Sequence, residues 1–414
     1  MRMKFNKLSQ LLLVSAAGLL VAGLMTACEV LTVDFVFVAS SKAAGPNNYG
    51  EIDVFEINSE SGAMRQIPTS PFPSGGRNPV AEAVSSDNTN LYVVNQDDNS
   101  IVQFIIGNDG KLYPQNTTNT PGIFPIAVAV NGANLFILDT YQPLPTCSTA
   151  DPCSGSVAAY GITPSKDNPP SDALGAPLTN PSLGTNYWPL SLTGSNAGHV
   201  LVPTALNVLA SGASLYVTAY DSNASPTVGY VFGFSIGSGG ALTPLNGGAP
   251  FAAGTHPSGI ASDSTNSFVY VSDYATGQVL AYAINGGSLT PLSGSPFQAG
   301  DQPAAIVVDP KYPYAYVANS LDSTVTAYSI GSGGALSSLG TYSTGSQPVA
   351  IGIDPSTNHF LFTANFLGSG ASGTISGFEV NTTAGTLVNS QNSPYLANAF
   401  PTAVAAIPHN GTLK

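Results

Sequence analysis

Cationic side chains are almost missing from this chain. Ten lysines and arginines serve 414 residues, and charged residues of both signs make up 8% of the total, where about a quarter is usual. Acids outnumber bases 23 to 10, so nucleic acid and anionic lipid surfaces meet net repulsion, and no nucleic-acid partner is expected. Histidine occurs only as His199, His256, His359 and His409. No two of these stand at metal-ligand spacing, so no metal is expected, and no other cofactor either. The sequence has no Cys-x-x-Cys-His for attaching haem and no Gly-x-Ser-x-Gly nucleophile elbow. The acidic stretch from Asn95 to Ser100 lacks the glycine and terminal glutamate of a calcium loop and reads as a hairpin turn. Helical periodicity is missing as well.

What is plentiful is turn formers and short apolar runs. There are 44 glycines and 32 prolines, and the hydrophobic 43% is spread through brief alternating segments. This composition describes a folded, turn-rich β protein with a surface of Ser, Thr, Asn and Gly, as exported proteins often have. The N-terminus agrees. Arg2, Lys4 and Lys7 precede an apolar run from Leu11 to Leu24, which as a helix reaches roughly 21 Å, short of the ~30 Å of a membrane core. Residues 1–27 therefore read as a signal peptide. The following "LMTAC" resembles the lipobox of bacterial lipoproteins, with Cys28 as the lipidated residue; the alternative is ordinary cleavage beside an incidental Cys28. An exported lipoprotein, periplasmic or held at the outer membrane or cell surface through Cys28, is expected. Without residues 1–27 the chain has 7 basic against 23 acidic residues, a formal charge of −16. The other two cysteines, Cys147 and Cys153, flank a five-residue loop containing Asp151-Pro152. With no histidine near them, a disulfide is expected rather than metal ligation.

A proline followed by small and β-branched residues recurs seven times, at Pro79, Pro125, Pro203, Pro257, Pro303, Pro348 and Pro401. Five of the six spacings fall between 45 and 54 residues, and the exception, Pro125 to Pro203, is 78. Such a period marks stacked units that cannot bury a core singly. After each of the first six prolines comes a second alternating strand, such as "LYVVN" at Leu91, "VYVSD" at Val269 or "AYVAN" at Ala315. A third run follows, then a glycine turn (at Gly110, Gly240, Gly287, Gly334 and Gly385) into a fourth strand. Four short antiparallel strands per unit predict an all-β, seven-bladed propeller over residues 33–410. Residues 34–73 supply strands two to four of a blade but no first strand. The segment "PTAVAAIP" from Pro401 supplies it, so both chain ends close the last blade and remove the open edges. Residues 28–32 form a short tether and 411–414 a tail.

The Pro-anchored repeats with "LYVVN", "VYVSD" and "AYVAN" resemble the seven-bladed lactonase-like propeller family, also known for its Tyr-Val-Thr-Asn repeats. That resemblance implies 6-phosphogluconolactonase or muconate-lactonising activity, which relatives perform with a His, Glu and Arg cluster near the channel. Here His256 would be the general base, Glu82 its orienter or acid, and Arg77 the partner of a carboxylate or oxyanion. A phosphorylated lactone calls for more cations than a chain whose only arginines after Cys28 are Arg65 and Arg77.

The residue before each anchor proline is expected at the channel mouth: Asn78, Phe124, Val202, His256, Gln302, Gln347 and Phe400, with Arg77, Glu82, His199 and Asp301 as neighbours. This mixed apolar and amide ring suits a small neutral ligand, a glycan or a protein segment; it is equally the composition of a merely solvated rim. The long repeat adds an insertion at about 141–200, carrying both cysteines and the single tryptophan, Trp188. It would either cap a face or be a solvent-exposed, proline-stiffened decoration. The overall expectation is a monomeric binding or interaction propeller of the cell envelope, with lactone hydrolysis at the channel as the alternative.

Overall fold

A computed structural model describes residues 32–42, 48–58, 61–163, 173–354, 360–368 and 372–408. Cys28, His359 and His409 lie outside them. Seven antiparallel sheets make seven blades. Their innermost strands, blades 1 to 7, are Phe400–Pro408, Pro79–Val84, Ile123–Asn131, Leu201–Val208, Pro257–Ser262, Pro303–Val308 and Pro348–Ile353. Each touches the inner strands of both neighbouring blades, and the contacts run round the full circle.

The two chain ends meet in blade 1. Thr32–Ser41 pairs with Phe400–Pro408, with Asp34 opposite Pro408 and Ser41 opposite Phe400. The expected closure is therefore present. In every blade the pairing of the first two strands shifts by one residue just after the anchor proline, as between Pro79 and Ala81 or Pro303 and Ala305. Seven equivalent β-bulges follow from this, and each bends its inner strand at the mouth.

The outer edge differs from the four-strand expectation in five blades. There the fourth strand is short, as at Leu242–Pro244, and a separate segment, such as Phe251–Ala252, returns to pair with the third strand. Blades 2 and 6 instead have continuous eight-residue fourth strands, Leu112–Asn119 and Leu336–Ser343. Proline explains part of the break. Pro244 and Pro291 end their fourth strands where a ladder N–H would be needed.

The protein has no single core. Seven apolar clusters occupy the seven blade interfaces. Between blades 7 and 1, for example, Val36, Val38 and Phe55 meet Phe360, Phe362 and Ile375. Burying each such side chain contributes about 1.5–3 kcal/mol. The tyrosines of the repeat add a directed tie. Tyr216, Tyr270 and Tyr316 are fully buried, and their hydroxyls donate to the carbonyls of Gly287, Gly334 and Gly385 in the next blade. Those turn glycines, with Gly110 and Gly240, all have φ between 71° and 88°. At Gly334 a Cβ would also lie 2.4 Å from the Phe268 ring, so alanine is excluded by space as well as by backbone.

The insertion is not simply a decoration. Cys147 and Cys153 are joined, with Cα atoms 5.5 Å apart. Trp188–Pro189 pairs with the third strand of blade 3, and Trp188, Leu190 and Leu192 fill the interface between blades 3 and 4. Trp188 is only 2% exposed.

Candidate functional site

The mouth of the channel is set by the residues that enter the inner strands. Four of the seven pre-proline residues take left-handed backbone: Asn78 (φ 54°), Phe124 (54°), Gln302 (54°) and Gln347 (57°). For a phenylalanine before proline this costs on the order of 1–3 kcal/mol. Flanking hydrogen bonds hold it there: Phe124 N–H donates to Asn99 Oδ1 at 2.7 Å, and Thr140 Oγ1 donates to the Phe124 carbonyl at 2.7 Å. Similar clamps hold the other entries. The Arg77 N–H donates to Asp98, the His256 N–H to Asp273, and the Gln347 N–H to Ser323 Oγ.

The resulting rim is aromatic over half its circumference. His256 lies between Tyr220 and Tyr274, edge to face with both, at centroid distances of 4.2 and 5.6 Å. Tyr274 donates its hydroxyl to Gln302 Oε1 at 2.7 Å. On the other side Tyr141 packs on Phe124 at 6.1 Å. Burial, and behind it the nearby Tyr141 hydroxyl, pushes the Tyr220 phenol upward. A second aromatic pair, Phe366 and Phe400, stacks at 5.3 Å where blades 7 and 1 meet. All these rings, and Val202, are half-buried, so each keeps a face toward solvent. Asn78 closes the circle, its amide donating to Gln96 Oε1 and Asp97 Oδ1.

Below the rim the channel opens to about 250 Å³, lined by Ala81, Ala205, Gly259, Ala305, Ala350 and Ala403 among others. These are the second residues after the anchor prolines, small because seven strands converge there. The third residues are aliphatic in six blades: Val128, Leu206, Ile260, Ile306, Ile351 and Val404, each opposite the equivalent position of its second strand. In blade 2 the same position is Glu82, opposite Val93. Both its carboxyl oxygens are shut off from solvent without a completed hydrogen bond. Burial pushes its pKa up to about 8, partly offset by the backbone N–H groups of Ala39 and Ala405.

Each of the three residues that the family resemblance would assemble has partners of its own. Arg77 is committed to Asp98, with Nε 2.7 Å from Oδ1, and to the Asp97 carbonyl. Glu82 lines the channel beside blade 1, against the backbone of Ala39 and Ala405, and His256 stays in its tyrosine cage. No hydrogen bond, ion pair or ring contact joins any two of them among the described residues. Burial lowers the His256 pKa against the opposing charge of Asp273, leaving a neutral imidazole at pH 7. His199 lies outside the ring, paired with Asp221. Among the described residues no three His, Cys, Asp or Glu side chains cluster as metal ligands.

Sequence reasoning missed Tyr141, Tyr220, Tyr274 and Phe366, which more than double the aromatic content of the rim. A signal existed. Each lies at or just past the end of a second strand, in "LDTY", "TAY", "SDY" and "ANF", beside the pre-proline residue.

Comparison with known proteins agrees with this architecture. The family model described as Lactonase, 7-bladed beta-propeller matches residues 48–148 and 287–404. No curated protein sequence matches the chain. Among solved structures, a Bacteroides fragilis protein named for 6-phosphogluconolactonase activity superposes with TM-score 0.70 at 19% identity, over 92% of this chain and 99% of that one. A periplasmic gluconolactonase of Pseudomonas aeruginosa gives TM-score 0.66 at 17% identity, over 91% and 99%. At these identities the likeness speaks to the fold.

Proposed function

Because this chain belongs to the seven-bladed β-propeller lactonase family, we propose that it binds a small uncharged ligand, carbohydrate in class, at the mouth of its channel. The observation that carries the reading is the Tyr220–His256–Tyr274–Gln302 run. Half-open aromatic faces offer the apolar side of a sugar ring a stacking surface, while the Gln302 and Gln347 amides and the tyrosine hydroxyls suit its hydroxyls. The strained entries at Phe124 and Gln302 support it, since unfavourable backbone of this kind tends to be kept where it positions a functional side chain. Charge argues against a phosphorylated ligand. The arginine beside the mouth is already neutralised by Asp98.

The propeller would work at the cell envelope, exported and anchored through Cys28. Thr32–Ser41 starts at the Pro408 end of blade 1 and reaches the mouth only at Ser41. A tether of residues 28–31 would therefore hold the opposite face to the membrane and leave the mouth free. Replacing Cys28 by serine should move the protein from the membrane to the soluble fraction; retention at the membrane would sink the anchor.

Calorimetric titration with a panel of neutral mono- and oligosaccharides and sugar lactones tests the ligand. Tyr220→Ala and Tyr274→Ala are each expected to weaken binding by tenfold or more, about 1.4 kcal/mol. No binding to the panel, or binding undiminished in both variants, refutes the proposal.

A second reading, hydrolysis of an unphosphorylated sugar lactone with His256 as base, draws on the names of the similar structures, one of them a periplasmic gluconolactonase. Turnover of a lactone panel that is lost in both His256→Ala and Arg77→Ala would put this reading first. Absence of turnover leaves the binding reading standing.

A further inference from the structure

Beside the mouth, between blades 3 and 4, the insertion builds a cleft of about 280 Å³. Leu190 and Leu192 form its apolar floor, and Cys153, stapled to Cys147, forms part of a wall. His199 lines it with its ring one-third exposed, and Nδ1 lies 2.6 Å from Oδ2 of Asp221, which is fully buried. The other carboxylate oxygen accepts the backbone N–H groups of Asn223 and Ala224 at 2.9 and 3.2 Å. Asp221 is thereby fixed in place. The backbone of His199 is pinned too, since Ser154 Oγ donates to its carbonyl and accepts the Leu201 N–H.

This is the geometry of an oriented imidazole. A carboxylate against Nδ1 assigns the ring proton there and leaves the Nε2 lone pair available. We propose that the cleft is a second, hydrolytic site, in which His199 acts as general base on a water that attacks a carboxylic ester, an O-acyl carbohydrate in class. Water gives its proton to Nε2 as its oxygen bonds to the acyl carbon. The tetrahedral intermediate then expels the alcohol, which takes that proton back from the imidazolium, leaving a carboxylic acid and a free hydroxyl. No oxidant, metal or other reagent enters the balance. Ser191 and Gln142 line the same cleft and carry donors for the oxyanion. The apolar floor suits a short acyl chain, and the adjoining rim suits the sugar. Asp221 is a positioning residue: it orients His199 and stabilises the imidazolium.

The test is hydrolysis of p-nitrophenyl acetate by the full chain. That ester has no sugar, so the outcome is independent of whether the mouth binds carbohydrate. His199→Gln is expected to lower kcat by about 10²-fold or more. Asp221→Asn should lower kcat comparably with KM unchanged, because the amide favours the wrong tautomer. Melting temperatures within a few degrees of the parent would separate this from loss of fold. Ser191→Trp, at an exposed position, should abolish turnover by filling the cleft with the dyad intact. An unmodified protein no faster than buffer, full kcat in His199→Gln, or full activity in Ser191→Trp overturns the proposal.

Discussion

Replacing Glu82 by leucine should make the protein more stable, by an amount set by pH. The wild-type carboxyl lies at a position that is aliphatic in the other six blades, and Leu206 shows that leucine fits there in blade 4. Burial lifts its pKa from 4.5 to about 8 in the folded protein, so the native state holds a proton that the unfolded chain releases. Below pH 4.5 both states are protonated and ionisation costs nothing. Between 4.5 and 8 the unfolded state gains about 1.4 kcal/mol per pH unit, and stability falls as pH rises. At pH 7 the loss amounts to about 3 kcal/mol, and above the folded pKa it levels off near 5. Urea unfolding of parent and Glu82→Leu at pH 4.5, 7 and 8.5 measures this directly, with Glu82→Gln as a control that removes the charge but keeps the shape. Asp53 and Asp139 are also raised by burial, but both are common to all three proteins and cancel in the difference. The stability gap should be smallest at pH 4.5 and widen upward. A gap that does not change with pH would refute the buried-carboxyl argument.

Two further outcomes test the architecture. Gly334→Ala should destabilise by more than about 1 kcal/mol, because φ is 80° and the new Cβ meets Phe268; unchanged urea midpoints would contradict it. A chain ending at residue 399 loses the inner strand of blade 1 and exposes the edges of Thr32–Ser41 and of the ring. It should melt far below the parent and aggregate, and an equal melting temperature would mean that the ends do not lock the ring.

The fold was legible because each blade repeats the same solution. Proline, small residue, aliphatic residue and turn glycine recur at nearly fixed spacing, and the missing first strand at one end matches the surplus strand at the other. The position of each pre-proline residue at the start of an inner strand was legible for the same reason. The partners of His256, Glu82 and Arg77 were not, because contacts in a ring depend on which way each side chain leaves its strand. Glu82 is three residues past its proline and lies against the backbone of blade 1, whereas His256 immediately precedes its own and stays at the rim. Asp98, twenty-one residues from Arg77, takes that arginine out of play through a hairpin contact. Trp188 likewise reads as part of a polar, proline-rich insertion until its packing against blades 3 and 4 is seen.

Repetition and turn chemistry, both local and periodic, determine from sequence alone that this chain forms seven antiparallel blades closed by its two ends. Only the tertiary structure decides which residues of different blades share a surface. It gathers the tyrosine cage at the mouth, buries the Glu82 carboxyl against blade 1, and brings His199 to Asp221. Those contacts come from side-chain direction and from the bulge that bends each inner strand, and a one-dimensional period carries neither.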